Sequence, residues 1–95
     1  MLFVASCLDK ADHLEVRLAN RPDHLAWLDG HRDAVRLAGP FLDAAGEKPV
    51  GSMLIIEAAS AAAVEALLAE DPYAKAGLFA SVEIRPWRMT IGAIA

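Results

Sequence analysis

Two prolines lie inside apolar runs that otherwise read as β-strands, and they restrict the sheet this chain can build. Pro40 falls within Val35–Leu42 and Pro86 within Ser81–Trp87. Proline has no N–H to give to a strand ladder, so both runs belong at sheet edges. Two other runs, residues 2–8 (Leu-Phe-Val-Ala-Ser-Cys-Leu) and residues 50–58 (with Gly51-Ser52 ahead of Met53-Leu-Ile-Ile), carry no proline inside their apolar stretch. Those suit the centre of the sheet. Between the first and second runs, Asp12 and Glu15 form a capping pattern, and Leu14 and Leu18 share a helix face. Between the third and fourth, Ser60 caps a helix on which Val64, Leu67 and Leu68 repeat at i, i+3 and i+4. Asp71-Pro72 ends that helix, and Tyr73 to Gly77 makes a turn. The order is βαββαβ. Its edge assignments match a four-stranded antiparallel sheet with both helices on one face, the ferredoxin-like α+β arrangement.

The chain of 95 residues forms one domain, 1–95. Its hydrophobic fraction of 56% and mean hydropathy of +0.33 exceed what a small soluble monomer requires. Helices on one sheet face leave the other uncovered, and packing two such faces together makes a homodimer, a dimeric α+β barrel. The apolar tail, residues 88–95, is expected to extend an edge or clasp the second subunit, the alternative being a frayed tail. A net charge of −4 with no basic run excludes nucleic acid as the expected partner. Cys7 is the single cysteine, so no intrachain disulfide forms. The apolar start, Leu2 to Leu8, lacks a basic flank and runs into Asp9-Lys10-Ala11-Asp12, unlike a signal peptide. No segment approaches the roughly 20 apolar residues of a membrane span, so a cytoplasmic protein without membrane contact is expected.

One stretch concentrates the chemistry. Arg21 and Pro22 suit a helix start, and Trp27, Leu28 and His31 follow His24 at i+3, i+4 and i+7, on one stripe. His24 thus faces the sheet, and an imidazole there can serve as general acid or base near neutral pH. A lone histidine on an apolar stripe is more often a core group bonded to backbone carbonyls. Asp71 alters that balance: with both helices on one sheet face, its carboxylate can reach the imidazole and fix its tautomer. Taken alone, Asp-Pro is an ordinary helix terminator. No serine or cysteine stands in a nucleophile signature. Ser52 either donates to a ligand or satisfies the strand start, and Cys7 reads as core. His24 and His31 lie about 10 Å apart by helix rise, so no shared metal is expected, and no cofactor. His13 sits in a solvated capping turn. Arg17 and Arg21, at i, i+4, either bind an anion or are simply solvated.

With these residues in view, the chain resembles the YCII-related (YciI-like) family over nearly its whole length. The resemblance is carried by Asp9-Lys10-Ala11-Asp12, Leu14-Glu15, Arg17-Leu18, Arg21-Pro22 and His24-Leu25. It continues through Arg36-Leu37, Ala38-Gly39-Pro40, Gly51-Ser52, Asp71-Pro72-Tyr73, Ala76-Gly77 and Ile84-Arg85-Pro86-Trp87. It implies a ferredoxin-like α+β fold that dimerises and an active site centred on a histidine and an aspartate, here His24 and Asp71. Gly39-Pro40 and Gly51-Ser52 match strand motifs beside that cleft. The chain departs from the pattern in a shorter connection between the second and third strands and in the apolar tail.

The leading expectation is a small cofactor-free enzyme in which His24, oriented by Asp71, shuttles a proton on a small organic acid or ring compound. Isomerase-like or lyase-like chemistry fits a placed base in a dry pocket. Trp27, Leu28 and Tyr73 would line the pocket, beside Gly39 and Pro40, and Arg21 or Ser52 would hold an oxyanion. The alternative is a non-enzymatic ligand-binding or regulatory module using the same cleft; a third reading is a purely structural dimerisation domain.

Overall fold

A computed structural model describes residues 1–94. Four strands form one antiparallel sheet in the order β2-β3-β1-β4. They are β1 (Leu2–Asp9), β2 (Val35–Leu42), β3 (Pro49–Glu57) and β4 (Phe79–Trp87). The prolines fall where the ladder tolerates them: Pro40 on edge strand β2, Pro86 on edge strand β4, and Pro49 at the first position of β3. The fold is ferredoxin-like α+β.

Alternation along the strands separates the two sheet faces. Phe3, Ala5 and Cys7 of β1 and Leu54 and Ile56 of β3 point to the helical side. There they pack with Val35, Val64 and Leu68 into a continuous core. The residues between them, Leu2 and Val4 on β1 and Met53 and Ile55 on β3, lie on the other face. Leu37, paired with Ile55, and Trp87, paired with Leu2, extend that apolar surface to both edges. Leu37 is 46% exposed, so no element of this chain covers it.

Helix α1 (Leu14–Asp29) is one continuous helix of 16 residues with Pro22 inside it. This corrects the expected start at Arg21-Pro22. Pro22 removes one N–H, the partner of the Leu18 carbonyl, on the exposed side of the helix. Arg17 and His24, buried either side of it, anchor both halves to the sheet and carry the helix through. The Asp12–Glu15 capping pattern is not formed either. Asp12 takes a positive φ of 58° in the turn after β1, which moves the N-cap to His13. The His13 imidazole Nδ1 instead bonds the Ala11 carbonyl.

Helix α2 (Ala61–Leu68) begins as read, with Ser60 Oγ accepting the Ala63 N–H at 3.2 Å. Past it the turn expected at Tyr73–Gly77 is wound as a short helix, α3 (Pro72–Lys75). Pro72 at the first helical position and Asp71 as N-cap start α3. Gly77, with φ +72°, closes the turn into β4. Asp71 therefore heads α3 and is not simply the end of α2.

Residues 88–94 carry no regular structure, and Ile91 is 92% exposed. The last residue of the expected apolar tail, Ala95, lies outside the described residues. Among the described residues no helix is long and apolar enough to cross a membrane.

Candidate active site

The seven-residue spacing of Arg17 and His24 puts both on the face of α1 that meets the sheet, and both are buried. Asp71 reaches His24 from α3: its Oδ1 lies 2.8 Å from His24 Nδ1, and the pair is shielded from solvent. The same oxygen accepts the Tyr73 N–H at 2.9 Å, so the cap that starts α3 also aims the carboxylate. Asp71 is 0% exposed, and its Oδ2 is without a hydrogen-bond partner among the described residues. A carboxylate can only accept, so a neutral His24 donates through Nδ1 and keeps its lone pair on Nε2.

Tyr73, one turn into α3, stacks on the imidazole with centroids 3.9 Å apart and planes 14° from parallel. Arg17 lies over the same ring, its Cζ 4.6 Å from the centroid. Burial pushes the Tyr73 phenol above its ordinary range, against the opposing pull of the Arg17 and Arg21 charges. The ring is a neutral hydrogen-bonding group at neutral pH.

Arg17, for which anion binding and simple solvation were both open, is buried. Its Nε and Nη2 grip Asp9 at 2.7 and 3.0 Å, and Nη2 also donates to Ser52 Oγ at 2.8 Å. Burial works against its charge, but the hydrogen bonds and charge of Asp9 outweigh that and raise its basicity further. Arg17 is therefore a permanent buried cation. Its position seven residues before His24 was the signal that places it in the site.

These groups border a cavity of about 370 Å³ between α1 and the β2–β3 half of the sheet. Arg17, Arg21, His24, Ser52 and Tyr73 supply its polar lining; Leu28, Gly39, Pro40 and other apolar residues complete it, with no carboxylate among the described residues. The expected residues Arg21, Leu28, Gly39, Pro40, Ser52 and Tyr73 thus come together around His24. Asp71 stands behind His24 and does not line the cavity. Trp27 does not line it either: three residues past His24 it is rotated toward the core, against which it packs. His31 is farther along, its Nδ1 bonded to the Trp27 carbonyl at 2.7 Å. Among the described residues no three His, Cys, Asp or Glu side chains gather as a metal site.

The model of the YCII-related domain matches residues 1–88. This chain belongs to the YCII-related family. Protein YciI of Escherichia coli O6:H1 is 40% identical, the match covering 93% of this chain and 97% of that protein. An uncharacterised protein of Haemophilus influenzae is 35% identical over the same shares. Among solved structures, the 5-chloro-2-hydroxyhydroquinone dehydrochlorinase TftG of Burkholderia phenoliruptrix, in complex with 2,5-dihydroxybenzoquinone, superposes with a TM-score of 0.86. It is 36% identical, the match covering 93% of this chain and 94% of TftG. A monooxygenase-like protein of Bacteroides thetaiotaomicron, at TM-score 0.60 and 15% identity, shares the fold alone. A YCII-related chain of this kind has a small enzyme-like or ligand-binding role.

Proposed function

We propose that this YCII-related protein is a small enzyme that needs no cofactor and performs acid–base elimination or isomerisation on a small ring compound bearing ionisable oxygens. The observation that carries the reading is the His24–Asp71 pair: a buried carboxylate holds Nδ1, and the imidazole borders a cavity lined by two arginines and, among the described residues, no carboxylate. Such a lining favours an anionic ligand, and Leu28 and Pro40 offer apolar contact for a flat ring. The likeness to TftG supports a lyase over the other chemistries this fold hosts.

Loss of HCl from a chlorinated polyhydroxybenzene shows what the site must do. A base takes a hydroxyl proton and returns it to the carbon bearing chlorine, giving the keto tautomer. A second hydroxyl proton then goes to the base as its electron pair re-forms the conjugated quinone and chloride departs. His24 Nε2 would serve as that base at each step, with Asp71 stabilising the imidazolium that forms in between. Arg21, at the cavity mouth, would attract the anionic form. Such proton transfers require a placed base more than a nucleophile, which fits the absence of a nucleophile signature.

Chloride release from 5-chloro-2-hydroxyhydroquinone tests the reading directly. The parent protein should release chloride well above the rate in buffer, and His24→Ala should lose about 10²-fold or more of that rate when assayed at a temperature where circular dichroism shows it folded. A parent no faster than buffer, or a fully active His24→Ala, would contradict it.

The same reading includes a homodimer formed through the uncovered sheet face, with the apolar tail after Trp87 at its margin. The exposed Leu37 and Trp87 support it.

A further inference from the structure

His24 and Asp71 leave a second hydrogen-bonded line in the cavity without a role. Asp9, at the end of β1, is gripped by Arg17 through two nitrogens, a two-pronged pairing that fixes the guanidinium in position and plane. One of those nitrogens, Nη2, donates to Ser52 Oγ on β3. Asp9, Arg17 and Ser52 are all nearly buried, and Arg17 and Ser52 border the cavity.

Directionality is the consequence. A serine hydroxyl has one proton and two lone pairs. Arg17 has no acceptor to offer, so Ser52 must accept from it, and the Ser52 proton is left to point elsewhere. No protein acceptor takes that proton among the described residues. Across the ladder from Ser52 stands Pro40, also on the cavity lining. With Asp9 consuming part of its charge, Arg17 serves as a fixed strut, while Arg21 forms no ion pair among the described residues.

We propose that Asp9, Arg17 and Ser52 form an oxyanion-holding line on the sheet side of the cavity: Ser52 Oγ–H donates to an anionic ring oxygen of the ligand, and Arg17 and Asp9 are positioning residues that aim it. The ligand class is a planar phenolate or enolate. The cavity then has two functional sides, a proton-accepting side at His24 and an oxyanion-holding side at Ser52, the two needs of a proton abstraction that leaves charge on oxygen. This assignment rests on the reading of the cavity as a substrate site, but it does not depend on turnover.

Binding calorimetry with two probes separates the cases. 2,5-Dihydroxybenzoquinone presents ionised ring oxygens, and hydroquinone presents neutral hydroxyls on a ring of similar size. The parent should prefer the ionised probe, and Ser52→Ala should weaken that probe about tenfold while changing hydroquinone by less than about twofold. Ser52→Thr, which keeps the hydroxyl, should restore the preference. Arg17→Lys keeps the charge but loses the two-pronged grip, and should lower the ionised-to-neutral affinity ratio as Ser52→Ala does. A merely structural role would weaken both probes together. Ser52→Ala leaves the Arg17–Asp9 pair intact, so it decides the matter even where Arg17→Lys folds poorly. The proposal is overturned if Ser52→Ala binds the ionised probe within twofold of the parent, or if the parent shows no preference. Full chloride release by His24→Ala would end the acid–base reading and leave this result standing by itself.

Discussion

Gly51 sits mid-sheet beside Ser52, and a Cβ built there would lie 2.5 Å from the Cys7 carbonyl oxygen and 3.2 Å from the Phe41 ring. The backbone oxygen cannot move aside without breaking the β1–β3 ladder. Gly51→Ala should therefore cost about 1–3 kcal/mol of stability, read by urea unfolding; an unchanged midpoint would show that the strands part without cost. Cys7, across the ladder from Ser52, is a different kind of core residue. Burial first, and the Asp71 and Asp9 charges next, push its thiol from 9.0 up to about 12. The folded state therefore keeps a proton that the unfolded state loses above pH 9. The sign follows: this contribution is complete below the unfolded value and is lost as pH rises from about 9 toward 12. Cys7→Ala should flatten the alkaline slope of stability against pH, and the native thiol should resist alkylation at pH 8.

At the scale of elements, α1 carries most of the site and was the least well read. The periodicity of Leu14 and Leu18 and the stripe from His24 to His31 were each legible, but Pro22 divided them into two pieces. A proline vetoes one backbone hydrogen bond, and the burial of Arg17 and His24 on either side outweighs that loss. Pro22→Ala should restore an N–H for the Leu18 carbonyl and raise stability by about 1–3 kcal/mol in thermal or urea unfolding. No gain would mean that the carbonyl is already satisfied. The strands were legible almost to the residue, since edge prolines and apolar runs obey local rules. Asp71 was picked out by its neighbours Pro72 and Tyr73, and packing both helices on one sheet face made a contact with His24 possible without fixing it; the contact itself depends on α3, which Asp71 caps. The role of Arg17 was not legible: its meaning depends on Asp9 and Ser52, which lie 8 and 35 residues away in sequence. Trp27 was misplaced around the helix because three residues of spacing turn a side chain some way off the line through His24.

For the whole molecule, one sheet face is buried under helices and the other carries no helix. Leu37 lies on that helix-free face and is 46% exposed in the single chain, so Leu37→Asp should leave a monomer folded. If the face is a dimer interface, the same change should shift the parent from dimer to monomer in sedimentation analysis; a parent that already sediments as a monomer would refute the interface. The cavity belongs to this scale too, because α1, α3 and the sheet each supply a wall. The measurement that bears most directly on the central claim is Asp71→Asn, with chloride release and affinity for 2,5-dihydroxybenzoquinone determined on the same preparation. If Asp71 orients His24 for proton transfer, turnover should fall about 10²- to 10⁴-fold while affinity stays within about threefold. An Asp71→Asn protein that loses affinity but keeps its turnover per bound ligand would contradict the account and leave a binding module in its place.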